Sequence, residues 1–359
     1  MSIIERLVKK LDSEDIIKFS EKDNFKDIKS WAFTGSPTLE KNLGVLGFPT
    51  GIIEIAGKSR SGKTTLGLVA MKHFLSKNEN GVAIILSSEN RDNKEYAIKL
   101  GIDPERVMIV KIRYVEKMFI LVKKLINDTV EIFEQEKWGE PKFYFLWDSL
   151  GATLSKSELD TMEINTEELN KKMEKGDDIK DLKHEKIGAF AKPAKMFAKF
   201  LLGEMYDKTI HFVMLNHQYD NIGGHGGKTS TGGTWVEFFP TLRLQTSLVG
   251  HEKIDEVEVA QYTEVKVIKN DFGSRAKTKL QILLGQGIVL SDEDIEFAVS
   301  KKIIAKTGAK KYEALNGKIT WTSKRTFYDL YIEQPKLMNL ITKKISESMH
   351  QEILENRVS

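Results

Sequence analysis

Cysteine is absent from the 359 residues, which excludes a disulfide scaffold, thiolate metal ligation and a cysteine nucleophile. Long apolar runs are also missing. No stretch approaches the roughly 20 apolar residues that a membrane-spanning helix needs, and the longest apolar segments have strand length. The opening Met1-Ser2-Ile3-Ile4-Glu5-Arg6 carries an early acid and no signal-peptide apolar region, so the expected location is cytoplasmic, with no membrane partner. Neither sign of charge dominates: 55 basic residues stand against 52 acidic ones, a net +3. Total charge therefore identifies no polyanionic partner, and any nucleic-acid surface must be local. No internal repeat of fixed period is present. What remains, 40% hydrophobic and 30% charged, is the composition of a folded chain. The length fits one large core with small flanking pieces, or two modest domains.

Residues 1–33 form a charged segment in which Ile3, Ile4, Leu7, Val8 and Leu11 recur at helical spacing; such a face packs on its own core or on a neighbouring subunit. From Thr34 short apolar strands alternate with helical segments. The strands are Ile52–Ala56, Val82–Leu86, Val107–Ile112, Phe143–Trp147 and His211–Leu215; the helices are Thr64–Leu75, Asn93–Leu100 and Val115–Phe133. This alternation predicts an α/β fold with a mainly parallel twisted sheet covered on both faces. Leu242–Thr246, Glu264–Ile268 and Thr278–Leu284 follow with little helix between them and predict an antiparallel extension. The core is expected to span 34–284, and 285–359 a small C-terminal α/β lobe. Two stretches interrupt the pattern, the very polar 155–185 and the glycine-rich 221–233, and long irregular segments of this kind are often functional or disordered.

Gly57-Lys58-Ser59-Arg60-Ser61-Gly62-Lys63-Thr64 fits the phosphate-loop pattern in full, after a strand and before a helix. Its backbone N–H groups and the helix N-terminus suit phosphate oxygens. Lys63 is expected at the β- and γ-phosphates of ATP, Thr64 at Mg²⁺, and Thr65 in the nucleotide site. Asp148 ends the strand Phe143–Trp147; alone it reads equally as a helix N-cap, but beside a phosphate loop it reads as the second metal residue. Glu89, just past the strand Val82–Leu86, suits a group that orients or deprotonates the attacking water, although acids are common in surface loops.

With these residues assembled, the chain resembles the RecA family of strand-exchange recombinases. The likeness runs from Thr34-Gly35-Ser36-Pro37-Thr38-Leu39 through Gly47-Phe48-Pro49-Thr50-Gly51 to the phosphate loop. It continues at Glu89, Tyr96, Asp148-Ser149, Asn216-His217, Thr231-Gly232-Gly233 and Val265-Lys266-Val267-Ile268-Lys269-Asn270, and ends at Gln281–Ile288, covering about 34–345. His217 resembles the phage type, similar to UvsX. The resemblance implies that Glu89 activates water, Tyr96 stacks on adenine and His217 senses the γ-phosphate. It implies two DNA-binding loops, about 155–187 and 218–233. Ile187 and Ile222 would be apolar wedges between base triplets. Gly188, Lys192, Lys199, Gly223, Thr231, Gly232 and Gly233 would lie along the backbone; His225 and Lys228 have no direct counterpart in the family and read as added phosphate contacts. Read without the resemblance, Lys192 and Lys199 are equally a solvated helix face.

The implied function is ATP-dependent homologous recombination. The chain would form a helical filament of itself on single-stranded DNA and exchange strands with homologous duplex DNA, assisted by a single-strand-binding protein and a loader. Two rivals share the fold: a ring helicase or motor, and an ATP-binding DNA filament protein with little turnover. The chain departs from the family pattern at Asp271, where the family has a second lysine after Lys269; Arg275 is the nearby cation that would act across the subunit boundary instead. The 155–185 stretch is longer than the family's first loop. The chain ends Glu355-Asn356-Arg357-Val358-Ser359, so brakes that depend on an acidic tail are not expected.

Overall fold

The computed structural model describes residues 10, 30–89, 94–175, 188–220, 228–230 and 232–358. The helical face of Ile4, Leu7, Val8 and Leu11 lies outside these residues, as do Ile187, Ile222, Gly223, His225 and Thr231.

Short β1 (Trp31–Ala32) pairs with β2 (Phe48–Pro49), and α1 (Pro37–Leu43) lies between them. Ser36 caps α1 by accepting from the Leu39 N–H, Pro37 opens the helix, and Gly44 closes it at φ 65°, a left-handed position that suits glycine. The main sheet begins with β3 (Gly51–Gly57), β4 (Val82–Ser87), β5 (Val107–Lys111), β6 (Lys142–Asp148) and β7 (Thr209–Asp220). β8 (Lys228–Ser230) pairs with the end of β7, and β9 (Leu242–Ile254), β10 (Val257–Asn270), β11 (Lys277–Leu283) and β12 (Gly287–Val289) complete it. Its order is β12-β11-β10-β9-β3-β7-β6-β4-β5. The half from β9 to β5 is parallel, and β9 through β12 run antiparallel, so both parts of the expected sheet are present.

The strands read as continuous apolar runs because both faces are covered. On one face α2 (Lys63–Lys77) and α3 (Lys94–Lys99) pack with α1 over Ile53, Ile55, Tyr144, Leu146, Val213 and Leu215. On the other, α4 (Val115–Glu136) and α6 (Ala191–Glu204) cover Phe143, Phe145, Trp147, Phe212 and Met214. Met118, Val122 and Ile126 give α4 its buried stripe at four-residue spacing. Trp147 is fully buried against Phe197 and Phe212, and its indole N–H donates to Thr153 Oγ1 at 2.9 Å. Burying such a ring contributes about 2–3 kcal/mol.

The polar stretch after Ser155 is helical over its described residues. It forms α5 (Lys156–Lys175), opened by a reciprocal cap in which the Ser155 N–H donates to Glu158 and the Glu158 N–H to Ser155 Oγ. Among its described side chains only Leu159 is buried.

The C-terminal part holds α8 (Asp292–Ser300), a three-stranded sheet of β13 (Ile304–Lys306), β14 (Tyr312–Ala314) and β15 (Ile319–Trp321), then α9 (Lys324–Glu333) and α10 (Pro335–Val358) around their own core. β12 joins it to the large sheet. Two buried acids tie it to α1: Asp294 accepts from the Thr38 N–H and hydroxyl at 2.8 and 2.6 Å, and Glu40 pairs with His350 Nε2 at 2.6 Å. Among the described residues no helix is long and apolar enough to cross a membrane.

Candidate active site

The register of the sheet gathers the chemistry at the carboxyl ends of its parallel strands, where open α/β sheets bind ligands. Gly57 lies beside His217 on one side and Thr246 on the other, and Ser87 lies beside Asp148. The loop after Gly57 bends through Arg60 at φ 60° and Gly62 at φ 86° into α2. A Cβ on Gly57 would come within 2.6 Å of Ser61 Oγ and 2.4 Å of Thr246 Oγ1, so the close turn requires glycine there. Ser61 itself bonds Thr246 at 2.7 Å. Lys58, Ser59 and Arg60 are exposed along the rim.

Lys63 Nζ folds onto the loop and donates to the carbonyls of Gly57 and Lys58 at 2.9 and 2.7 Å. Burial lowers its pKa, opposed by the charges of Asp148 and Glu89. Thr64 Oγ1 donates to Asp148 Oδ2 at 3.3 Å. Burial, then the charge of Glu89, pushes the Asp148 carboxyl up to about 6. Among the described residues no three His, Asp or Glu side chains converge as a metal site. A hydroxyl and one carboxylate nonetheless fit Mg²⁺, which is commonly held by one or two protein oxygens plus substrate phosphates. The bent loop, the lysine and this pair together fit a magnesium nucleotide.

Glu89 Oε1 accepts from Ser149 Oγ at 2.9 Å and lies 3.2 Å from His217 Nε2. Ser88 braces the same turn, donating to the Ser149 carbonyl at 2.7 Å and accepting from its N–H at 2.9 Å. On the other side of the loop Tyr96 OH meets Thr65 Oγ1 at 2.7 Å. Tyr96 and the loop line a cleft of about 360 Å³ with Gln261, Ile282, Leu284 and Gly285. Gln261 was not legible as a site residue, because a polar side chain in a strand shows no motif. Thr246 was missed for the same reason, and Ser149 stands out in the sequence only as part of the Asp148-Ser149 likeness, without a role.

Lys269 and Arg275 do not join this cluster. Asn270 lies level with Leu242 and Leu242 with Ile53, four residues before Gly57, which is about 13 Å along the strand. Lys269 Nζ instead donates to the Phe238 carbonyl at 2.8 Å, in the short α7 (Trp235–Phe238), and lies 3.5 Å from Asp271. Arg275 is exposed between β10 and β11, without an ion pair among the described residues.

The expected DNA-facing residues flank the same edge. β7 continues from His217 to Asp220, and the chain returns in β8 and at Gly232 and Gly233. Both glycines have positive φ, and a Cβ on Gly233 would lie 3.2 Å from Ala191, so the base of this segment touches the start of α6. Gly188, also at positive φ, precedes α6, and Lys192 and Lys199 stand exposed on it.

One further polar cluster gave no sign in the sequence. Glu54, buried in β3, accepts from Arg243 Nε at 2.6 Å and from Asn216 Nδ2 at 2.8 Å, linking the strands on either side. Burial raises its pKa, and the Arg243 charge opposes the rise.

Fold and site together define an ATPase of the phosphate-loop class with a mostly parallel α/β core. The RecA N-terminal domain family matches residues 1–133. Protein RecA of Chlorobaculum tepidum is 30% identical over 281 residues, covering 77% of this chain and 72% of that protein. Protein RecA of Chlorobaculum parvum is 29% identical over 311 residues, covering 85% and 80%. Protein RecA of Staphylococcus aureus strain JH9 is 26% identical over 353 residues, covering 97% and 91%. The chain belongs to the RecA family: it is a RecA-type recombinase and, as such, a DNA-dependent ATPase.

Proposed function

We propose that this chain polymerises head to tail on single-stranded DNA, holds ATP between neighbouring copies, and exchanges strands with homologous duplex DNA. A single observation carries the reading. His217, beside the water-activating candidate Glu89, sits in β7 only one residue before the glycine-rich segment 218–233. A change at the γ-phosphate end therefore has a short covalent path to a segment suited to backbone contacts with DNA.

The phosphate loop from Gly57 to Thr65 cradles the triphosphate, and Lys63 leaves its two carbonyl partners to meet it. Thr64 and Asp148 would hold Mg²⁺, which would supply neutralising charge to the phosphate oxygens. Glu89 takes or orients the proton of the attacking water, and Tyr96 lies against the base. Ile187 and Ile222 act as wedges; Gly188, Gly223, Thr231, Gly232, Gly233, Lys192 and Lys199 follow the backbone without reading bases. Homology is read by base pairing. Lys269, level with Glu54 and so about 10 Å of strand before its own phosphate loop, and Arg275, past the end of β10, serve the nucleotide of the adjacent copy. Residues 1–33 dock on that copy, 34–284 form the ATPase core and 285–359 the C-terminal lobe. His217 favours a phage-type relative, similar to UvsX, and a single-strand-binding protein and a loader are the expected partners.

A D-loop assay with homologous and heterologous duplexes, with and without ATP and Mg²⁺, tests the reading. Joint molecules should form only with homology and ATP. Equal yields with heterologous duplex, or closed rings in place of filaments in electron micrographs, would overturn it.

A further inference from the structure

Asn270 ties down the segment that carries Arg275, and Phe272 of that segment also packs on Trp31. Asn270, 8% exposed at the end of β10, donates through Nδ2 to the Leu43 carbonyl at 2.8 Å and to the Ser274 carbonyl at 2.9 Å, and its Oδ1 accepts from the Phe272 N–H at 3.0 Å. Its donors and its acceptor thus close the turn 271–274 and fasten it to the last turn of α1. Glycine makes the close approach possible, since a Cβ on Gly273 would stand 2.3 Å from the Leu43 carbonyl oxygen. Asn42 adds a bond to Thr278 Oγ1 at 2.9 Å on the far side of Arg275. The other end of α1 is fixed in turn by Thr38 to Asp294 and by Glu40 to His350. Arg275 is the exposed cation that directly follows this pinned turn.

We propose that Asn270 is a positioning residue for ATP turnover, setting the place from which Arg275 reaches the nucleotide of the adjacent copy. The inference rests on the reading of Arg275 as a trans-acting group. A long cation aimed across a subunit boundary contributes only if its base is fixed, because misplacement by about 1 Å can cost on the order of 100-fold in rate. Aspartate at 270 keeps the acceptor for Phe272 and loses both donated bonds. It also sets a carboxylate oxygen against two carbonyl oxygens, so it tests the donor function separately from side-chain size.

The experiment measures ssDNA-stimulated ATP hydrolysis by full-length Asn270→Ala, Asn270→Asp and Arg275→Ala, with Mg·ADP affinity measured on the same preparations. Turnover should fall at least tenfold in all three, with ADP dissociation constants within about twofold of wild type. Each variant is then mixed with Glu89→Gln copies, which are silent themselves but present an intact 270–275 turn. Turnover should recover on mixing, because the turn acts on a neighbour's nucleotide. If both Asn270 variants turn over at the wild-type rate, or if mixing restores Arg275→Ala but not Asn270→Ala, the positioning role is refuted. If Arg275→Ala itself hydrolyses ATP normally, the trans reading fails instead, so the two failures are distinguishable.

Discussion

His217 Nε2 lies 3.2 Å from Glu89 Oε1, and the two residues come from the strands on either side of β6, which ends in Asp148. An imidazole touching a carboxylate at this edge can report on the group proposed to activate water and sits at the head of the segment proposed to hold DNA. Glu89→Gln should lower turnover by about 100- to 10,000-fold, the usual worth of a general base, while ADP affinity changes little. His217→Ala should leave DNA-free hydrolysis near its basal rate and abolish stimulation by ssDNA. Steady-state ATPase assays over a titration of oligonucleotide check both. A His217→Ala protein that is fully stimulated would break the link between β7 and the glycine-rich segment.

Asp148 sets stability against ligand binding. Burial and the Glu89 charge push its pKa from 3.8 to about 6. A carboxyl raised in this way weakens the ligand-free fold as pH climbs from about 4 to 6, by on the order of 3 kcal/mol above that window. Asp148→Asn should therefore unfold at the same temperature as wild type or higher at pH 7.5 without nucleotide. It should also lose most of the stabilisation that Mg·ADP gives wild type. Calorimetric melts with and without Mg·ADP decide; a less stable ligand-free variant would contradict the electrostatic reading.

Acid should loosen the core through His211. This residue is fully buried between Phe74 and Tyr144, its Nδ1 donates to the Pro49 carbonyl at 2.9 Å, and its Nε2 has no polar partner among the described residues. Burial lowers its pKa from 6.5 to about 4. A histidine kept neutral in the fold takes up a proton first in the unfolded chain. Its contribution is complete above pH 6.5 and is lost as pH falls towards 4, up to about 3 kcal/mol. His73, likewise lowered to about 4, acts with the same sign. Urea unfolding at pH 7.5 and 5.0 should show the loss, and His211→Leu should flatten it; an unchanged pH slope in that variant would be decisive against the assignment.

Lys192 and Lys199 are exposed on α6, close to where the base of the glycine-rich segment meets Ala191. If each neutralises one phosphate, alanine at either should reduce the slope of log K for ssDNA against log salt by about 0.7, uniformly across sequences. Fluorescence anisotropy with poly-dT and a mixed-sequence oligonucleotide between low and moderate salt measures this. A slope equal to wild type would return both lysines to an ordinary solvated face.

Much of this architecture is legible in the sequence because it depends on short-range patterns. The apolar runs Ile52–Ala56 and Phe143–Trp147 became central parallel strands, and the phosphate-loop spacing fixed the turn from β3 into α2. Composition misled at 155–185, where charge density suggested an irregular stretch. The Ser155–Glu158 cap and the Lys156–Asp160 pair support a helix that needs little burial. β9 and β10 extend well beyond their apolar middles because the outer halves pair with each other and stay half-exposed. The Glu54–Arg243–Asn216 cluster and the Asn270 clasp were illegible for a different reason. Their partners lie far apart in the chain, and only the register of the folded sheet or the packing of α1 brings them together.

α5 rises about 30 Å if measured at 1.5 Å per residue, yet a lone leucine, Leu159, roots its described part in the body of the protein. A mast of this kind tolerates cargo. A small reporter grafted near Asn170 should leave folding intact and give a visible landmark for counting subunits along an assembled polymer.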